Sequence, residues 1–308
     1  MNKITFSQAI EGYALYFHAR HLSQNTFNDY FNTFNKFQDF LGDDPPIDRI
    51  TSKDIEAFLA AQDHLANKTL LNYHTGLSAL WTWCVKEEMV GDHIVQKVDR
   101  PKPEQPEVQP YSEQDVRTLL KALKKSKIYL RPGMKESTNT LQTANRNRAI
   151  ILLLLDTGVR SSELCQLLIH HTDLKNREII VMGKGNKERI LPFCARTGQA
   201  IWRYLASRRD DSVDDFLFVT EAQNPFDRHY LRRMLSRIGK RAGVKRVGVH
   251  RFRHTFAINY LRNGGDPFSL QRLLGHSTME MVKRYLNIVQ ADLTKNHKLA
   301  SPVDNWRL

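Results

Sequence analysis

Apolar residues recur at helical spacing through the first hundred positions of this 308-residue chain. Ile10, Tyr13, Ala14 and Phe17 fall three or four apart, and Thr5 or Ser7 can cap the helix they define. Ser23 starts a second helix, with Phe27, Tyr30, Phe31, Phe34 and Phe37 along one stripe. Such a stripe is the core-facing side of an amphipathic helix. Gly42 to Pro46 reads as a loop. Thr51 then caps a third helix with Ile55, Phe58 and Leu59 inward, and Asn67 to Val85 forms a fourth carrying Leu70, Leu71, Leu77, Leu80 and Trp81.

Four prolines between Pro101 and Pro110 end this pattern. Proline fixes φ and removes a backbone donor, so the stretch predicts an extended, semi-stiff linker at a domain boundary. Beyond it Ser112 caps a helix with Val116, Leu119, Leu120 and Leu123 on one face. Lys125 to Asn145 is polar, contains Pro132-Gly133, and reads as a loop or short insertion. The run from Ala149 to Leu155 is the longest apolar one, far too short to cross a bilayer and suited to a core helix. Glu178 to Met182 and Glu188 to Pro192 alternate like paired strands around a glycine turn. A helix from Thr197 to Ser207, a short strand from Phe216 to Val219 and a helix from Arg228 follow. Asn263 to Asp266 ends one helix, and Asp266-Pro267 begins another with Leu270, Leu273 and Leu274 inward. The chain is therefore expected to be mainly α with a small antiparallel β-sheet. Its predicted parts are residues 1–100, a linker over 101–110, and a second domain with a tail over 111–308.

Charge sharpens this division. The net charge is +13, yet residues 1–100 carry 9 Lys and Arg against 13 Asp and Glu, and the remainder carries 37 against 20. A polyanionic partner is expected, gripped mainly by the second part. Arg228, Arg232, Arg233, Arg237, Lys240, Arg241, Lys245 and Arg246 form its densest basic stretch. The cysteines, Cys84, Cys165 and Cys194, are odd in number and far apart, as expected for reduced, buried thiols of a cytosolic protein. The N-terminus has no apolar signal core, so a cytoplasmic, nucleoid-associated protein without membrane contact is expected. His170 and His171 are adjacent and do not share a face, so no metal site is assigned to them.

Five segments carry chemistry. Arg160 follows Gly158 at the end of a buried helix. Lys184 sits in the glycine turn, with Lys187 close behind it. His250 and Arg253 are three apart and share a helical face. Gly275 allows a tight turn that aims His276 inward, and Tyr285 follows nine residues later. Each type has a use at a phosphate. Arg160 and Arg253 offer planar forks of donors for its oxygens. Tyrosine, with an ordinary pKa of about 10, is only on the order of 0.1% ionised near neutral pH and needs a proton acceptor, for which His250 is suited. Glu163, one turn after Arg160, can brace it. No carboxylate cluster able to hold magnesium accompanies the set, and neither metal nor other cofactor is expected.

In this order and spacing the residues resemble the tyrosine recombinases, the phage-integrase and Xer-like superfamily of DNA strand-exchange enzymes. The resemblance covers most of the second part and, more loosely, the first. It implies a helical, SAM-like core-binding domain joined to an α+β catalytic domain in a clamp around double-stranded DNA. It implies Tyr285 as nucleophile, Lys184 as the acid for the leaving 5′-oxygen, and His276 as donor to a non-bridging oxygen. The product would be a 3′-phosphotyrosine, resealed without ATP or metal. It also implies a tetrameric synapse on DNA, with a monomer when free, and a tail inserted into a neighbouring protomer. Polar residues of the second and fourth helices, Thr26, Lys68, Thr69 and Asn72, with Gln24, Asn25 and His74, become DNA-contact candidates. Lys187, Arg228, Arg232 and Arg233 join them in the second part. The alternatives are a type IB topoisomerase and a catalytically silent DNA-binding accessory protein.

Overall fold

The computed structural model describes residues 3–20, 23–104, 108–124, 143–183, 188–208, 215–301 and 303. The chain divides into two compact units, Met1–Glu107 and Val108–Leu308. The division falls inside the proline-rich stretch. Residues 125–142, most of the expected insertion, and 184–187, with Lys184 and Lys187, lie outside the described residues.

The first unit holds four α-helices among its described residues: α1 (Phe6–Ala19), α2 (Gln24–Leu41), α3 (Ser52–Ala60) and α4 (Asn67–Lys86). Local chemistry sets their starts. Thr5 and Gln8 close a capping box on α1, and Thr51 and Asp54 close one on α3. The Thr26 N–H donates to Ser23 Oγ at the start of α2. Phe6, Phe17, Phe34, Phe37, Phe58 and Trp81 are fully buried between the helices. The Phe6 and Phe37 rings meet edge-on at 5.4 Å, a favourable aromatic geometry. Phe27, Tyr30 and Phe31 of the same stripe are only partly covered. His74 is buried and bonds the Val98 carbonyl at 3.2 Å, so it is a core residue and no DNA contact.

In the second unit α5 (Glu113–Lys121) is capped by Ser112 and Asp115. The helix α6 (Ala144–Thr157) is apolar all round from Ala149 to Leu155, with Ala149, Ile150, Ile151, Leu153 and Leu154 buried, and so lies at the centre of the core. It packs on α8 (Ala195–Leu205) and α10 (Val249–Arg262). The helices α7 (Ser161–Cys165) and α9 (Arg228–Ala242) pack on each other. Three antiparallel strands run in the order β1 (Thr172–Asp173), β2 (Glu178–Met182), β3 (Glu188–Pro192), with Ile180 opposite Ile190. Phe216 to Val219 differs from expectation. It makes isolated bridges, Leu168 with Phe216 and Val219 with Pro225, and no ladder. Cys194 also differs: it caps α8 and is exposed, while Cys84 and Cys165 are buried.

A second apolar cluster joins α10 to α11 (Pro267–Leu274) and α12 (Glu280–Ala300) through Ala257, Ile258, Leu261, Leu270, Leu274, Val282 and Tyr285. Residues after the linker are fastened to α10. The Tyr111 N–H donates to Thr255 Oγ1 at 2.8 Å, and the Arg251 guanidinium lies 4.1 Å over the Tyr111 ring. The orientation of α10 is thereby fixed from both sides.

Candidate active site

The site forms where α6 ends, α11 ends and α10 passes beneath both. Gly158 closes α6 at φ +61°, and a Cβ there would lie 2.6 Å from the Phe256 ring. Only glycine fits that turn, which delivers Arg160 to the start of α7. Gly275 closes α11 at the same φ and delivers His276.

The last carbonyls of a helix lack intrahelical donors and carry its partial negative charge. Here three consecutive ones each hold a guanidinium. Leu273 O accepts from Arg189 Nε at 2.9 Å, Leu274 O from Arg253 Nη2 at 2.6 Å, and Gly275 O from Arg160 Nη2 at 2.8 Å. Arg253 also donates through Nη1 to Gly158 O at 2.8 Å. Burial, then Arg160, pulls its pKa down to about 10, so it stays charged near neutral pH.

Glu163 balances this charge. Its side chain is 3% exposed. Oε1 accepts from Arg160 Nη1 at 2.9 Å and Arg189 Nη1 at 2.7 Å; Oε2 accepts from the Arg160 N–H at 2.8 Å and Arg189 Nη2 at 2.7 Å. Burial raises its pKa, but bonds from Arg189 and Arg160 outweigh that and leave it below the ordinary carboxylate value. The side chain of Arg160 is 32% exposed and that of Arg189 only 13%, so Arg160 presents the more open fork.

His276 is buried, and its Nε2 accepts from Arg253 Nη2 at 2.8 Å. A neutral imidazole that accepts at Nε2 carries its proton on Nδ1. That Nδ1 is buried and has no partner among the described residues. Burial, with Arg253, Arg160 and Arg189, pulls the pKa of His276 down to about 4. The site therefore holds a neutral, desolvated donor beside three cations, an arrangement ready for an anionic oxygen.

Tyr285 is 3% exposed and lies in the apolar cluster of α10, α11 and α12. Burial raises its pKa, partly opposed by Arg253 and Arg284. Its hydroxyl is 2.9 Å from His254 Nδ1. His254 is pulled down to about 4 by burial, then by His250, Arg284 and Arg253. His250 itself is exposed, one turn earlier on α10.

Of the sequence-predicted residues, Arg160, Glu163, Arg253 and His276 meet through direct hydrogen bonds or shared carbonyl neighbours. Tyr285 joins them through α10. Two site residues were not anticipated. Arg189 lies on the face of β3 that also carries buried Leu191, while Ile190 is 55% exposed. A charged residue in the inward register of a strand is the signal that could have found it. His254 is one helical turn after His250, a spacing that signals a shared face. Among the DNA-contact candidates, Lys68, Asn72, Arg228, Arg232 and Arg233 are exposed, while Thr26 and Thr69 are half-buried. Arg241 of the basic stretch donates to Ala122 O at 2.7 Å. Among the described residues no three His, Cys, Asp or Glu side chains gather where a metal ion could sit, and no helix is long and apolar enough to cross a membrane.

Residues 112–291 match the phage integrase family, and residues 10–90 match the N-terminal SAM-like domain of phage integrases. The chain belongs to the phage integrase family. It is a tyrosine-type site-specific recombinase, in the class of enzymes that break and rejoin DNA. It is similar to the tyrosine recombinase XerC of Staphylococcus saprophyticus, at 29% identity over 92% of this chain and 93% of that protein. It is also similar to the XerC of Listeria innocua, at 26% over 93% and 95%. Among solved structures, XerA recombinase covers 96% of this chain and 98% of its own, at 27% identity and TM-score 0.51. The XerH recombinase in a post-cleavage complex with its difH substrate shares the fold at TM-score 0.73 and 22% identity, over 93% of this chain and 82% of that one.

Proposed function

We propose that Tyr285 is the nucleophile of this recombinase and that Arg160, Arg253 and His276 bind the phosphate it attacks. The observation that carries this reading is the gathering of two guanidiniums and an unpartnered buried imidazole N–H at the end of α11, with the phenol packed against the same helix α10. In-line attack forms the bond from the tyrosyl oxygen to phosphorus and breaks the bond to the 5′-oxygen. Negative charge grows on the non-bridging oxygens, where Arg160, Arg253 and the Nδ1–H of His276 stabilise it. The phenol's proton passes to an imidazole of α10. His254 touches the phenol in the free protein, and His250, exposed one turn earlier, is the acceptor once DNA is seated. Lys184 supplies the proton for the leaving 5′-oxygen. The 3′-phosphotyrosine conserves the energy of the broken bond, so the returning 5′-hydroxyl reseals the strand and releases the tyrosine.

The proposed partner is double-stranded DNA held by both units, through Lys68 and Asn72 in the first and Arg228, Arg232 and Arg233 in the second. Two synapsed duplexes exchanging strands require four protomers. Action on DNA places the protein in the cytoplasm, with the nucleoid. The test uses nicked duplexes cut from DNA flanking the gene, in which the released fragment diffuses away and traps the covalent complex. The wild-type protein is expected to give a denaturant-resistant protein–DNA adduct, and Tyr285→Phe none. An adduct formed by Tyr285→Phe removes Tyr285 from the role. Transfer of strands between two duplexes separates a recombinase from a topoisomerase that only relaxes one.

A further inference from the structure

We propose that Arg189 is a positioning residue for Arg160, one that occupies the Glu163 carboxylate and so leaves the Arg160 guanidinium open to the phosphate. The inference rests on the reading of Arg160 as a phosphate-binding residue. Nothing in the sequence motifs assigned Arg189 a role.

The geometry is asymmetric. Arg189 meets Glu163 fork to fork, with Nη1 on Oε1 and Nη2 on Oε2, both at 2.7 Å. Arg160 meets the same carboxylate with one side-chain nitrogen, Nη1, at 2.9 Å. A carboxylate and a guanidinium prefer the two-pronged arrangement when free to choose it. Arg189 already holds that arrangement, so Arg160 is kept to one prong. Its Nη2 goes to Gly275 O at 2.8 Å, and its side chain stays 32% exposed. Arg189 is itself held firmly. Its Nε bonds Leu273 O at 2.9 Å, and strand β3 fixes its root.

Charge gives the second argument. Glu163 with Arg160 alone would be a neutral pair buried beside the phosphate site. Arg189 returns one positive charge to the cluster and makes the buried carboxylate affordable without consuming the charge of Arg160. Without Arg189, Glu163 would face one guanidinium with four acceptor positions to fill. Arg160 would turn inward to meet it, and its fork would be withdrawn from the DNA.

The experiment is a double-mutant cycle read as the rate of covalent adduct formation on the nicked duplex. The full-length protein is used as wild type, Arg160→Ala, Arg189→Met and the double variant. Arg189→Met alone is expected to slow the adduct at least about tenfold, and in the Arg160→Ala background it should cost less than about twofold more. That non-additivity is what action through Arg160 requires and what general loosening of the fold would not produce. Arg189→Lys keeps the charge but not the fork, and its rate should lie between wild type and Arg189→Met. Independent, multiplying losses from the two sites overturn the proposal, as does a wild-type rate in Arg189→Met. Should Arg189→Met fail to fold, the same cycle is run with Arg189→Lys and judged by the same two criteria. If Arg160→Ala itself reacts at the wild-type rate, the phosphate-binding reading of Arg160 has failed instead.

Discussion

Lowering the pH from 7.5 to 5.0 should destabilise this protein through His276 before its carboxylates respond. The folded protein holds His276 near pKa 4, against 6.5 for a free imidazole, because it is buried beside Arg253, Arg160 and Arg189. Unfolded chains therefore take up a proton as the pH falls through 6.5, while the folded protein does not until the pH nears 4. The stability due to the neutral imidazole is complete above pH 6.5, falls steadily below it, and levels off near pH 4. At pH 5 this one group removes about 2 kcal/mol, from 1.36 kcal/mol per unit over the 1.5 units below 6.5. His254 shares the depression and adds a smaller loss, since it is half-buried and better screened. For a unit of this size the His276 share corresponds to a drop of about 4–8 °C in melting temperature. Glu163 lies below the ordinary carboxylate range and stays ionised across the window. Thermal unfolding followed by circular dichroism at pH 7.5 and 5.0, for wild type and His276→Gln, measures the effect. The wild type should lose markedly more between the two pH values than the variant does. Equal losses in the two proteins would refute the assignment of a neutral, buried His276.

Glu163→Gln removes the buried charge that compensates the half-buried guanidiniums of Arg160 and Arg189. It should destabilise the second unit by about 3–5 kcal/mol, read by urea denaturation, because breaking a buried ion pair from one side leaves the other charge unmet. A loss under 1 kcal/mol would show that water already serves the arginines. His254→Phe leaves the Tyr285 hydroxyl buried without its partner, at a cost of about 1–3 kcal/mol. Amide exchange along α12 should speed up accordingly, and unchanged protection there would mean the contact does not hold the helix. Replacing Arg232 and Arg233 together by alanine should lower the log–log salt slope of DNA binding by about 1.8, about 0.9 per phosphate contact. An unchanged slope would place both side chains off the DNA.

The helices were legible because their signals are local. Thr5, Ser23, Thr51, Ser112 and Asp266 cap helices through side-chain bonds to the next turn, and such bonds need no knowledge of the rest of the chain. The same holds for Gly158 and Gly275, whose positive φ follows from their place at helix ends. What escaped depends on distant pairing. Arg189 joins the site only because the end of α11 lies against β3, 84 residues away in sequence at the Leu273 carbonyl. His254 stood unassigned beside Arg253 because nothing in the sequence says which imidazole of α10 faces α12. His74 reads as polar in sequence, yet the Val98 carbonyl satisfies it inside the core. Cys194 reads as a small hydrophobe, but its position ahead of α8 is held by its own backbone N–H on Asp156, 2.6 Å away, and leaves the thiol outside.

Gly275 carries a consequence of its own. A methyl group built there would stand 3.2 Å from Nη1 of both Arg160 and Arg189, in a backbone conformation that already disfavours side chains. The position thus contributes emptiness. In a library of random variants screened for strand exchange, losses at 275 should cluster with those at the charged residues, although no side chain exists there to be removed. A scan that replaces residues by alanine to delete contacts would there be adding one, and its result should be scored as crowding of two guanidiniums.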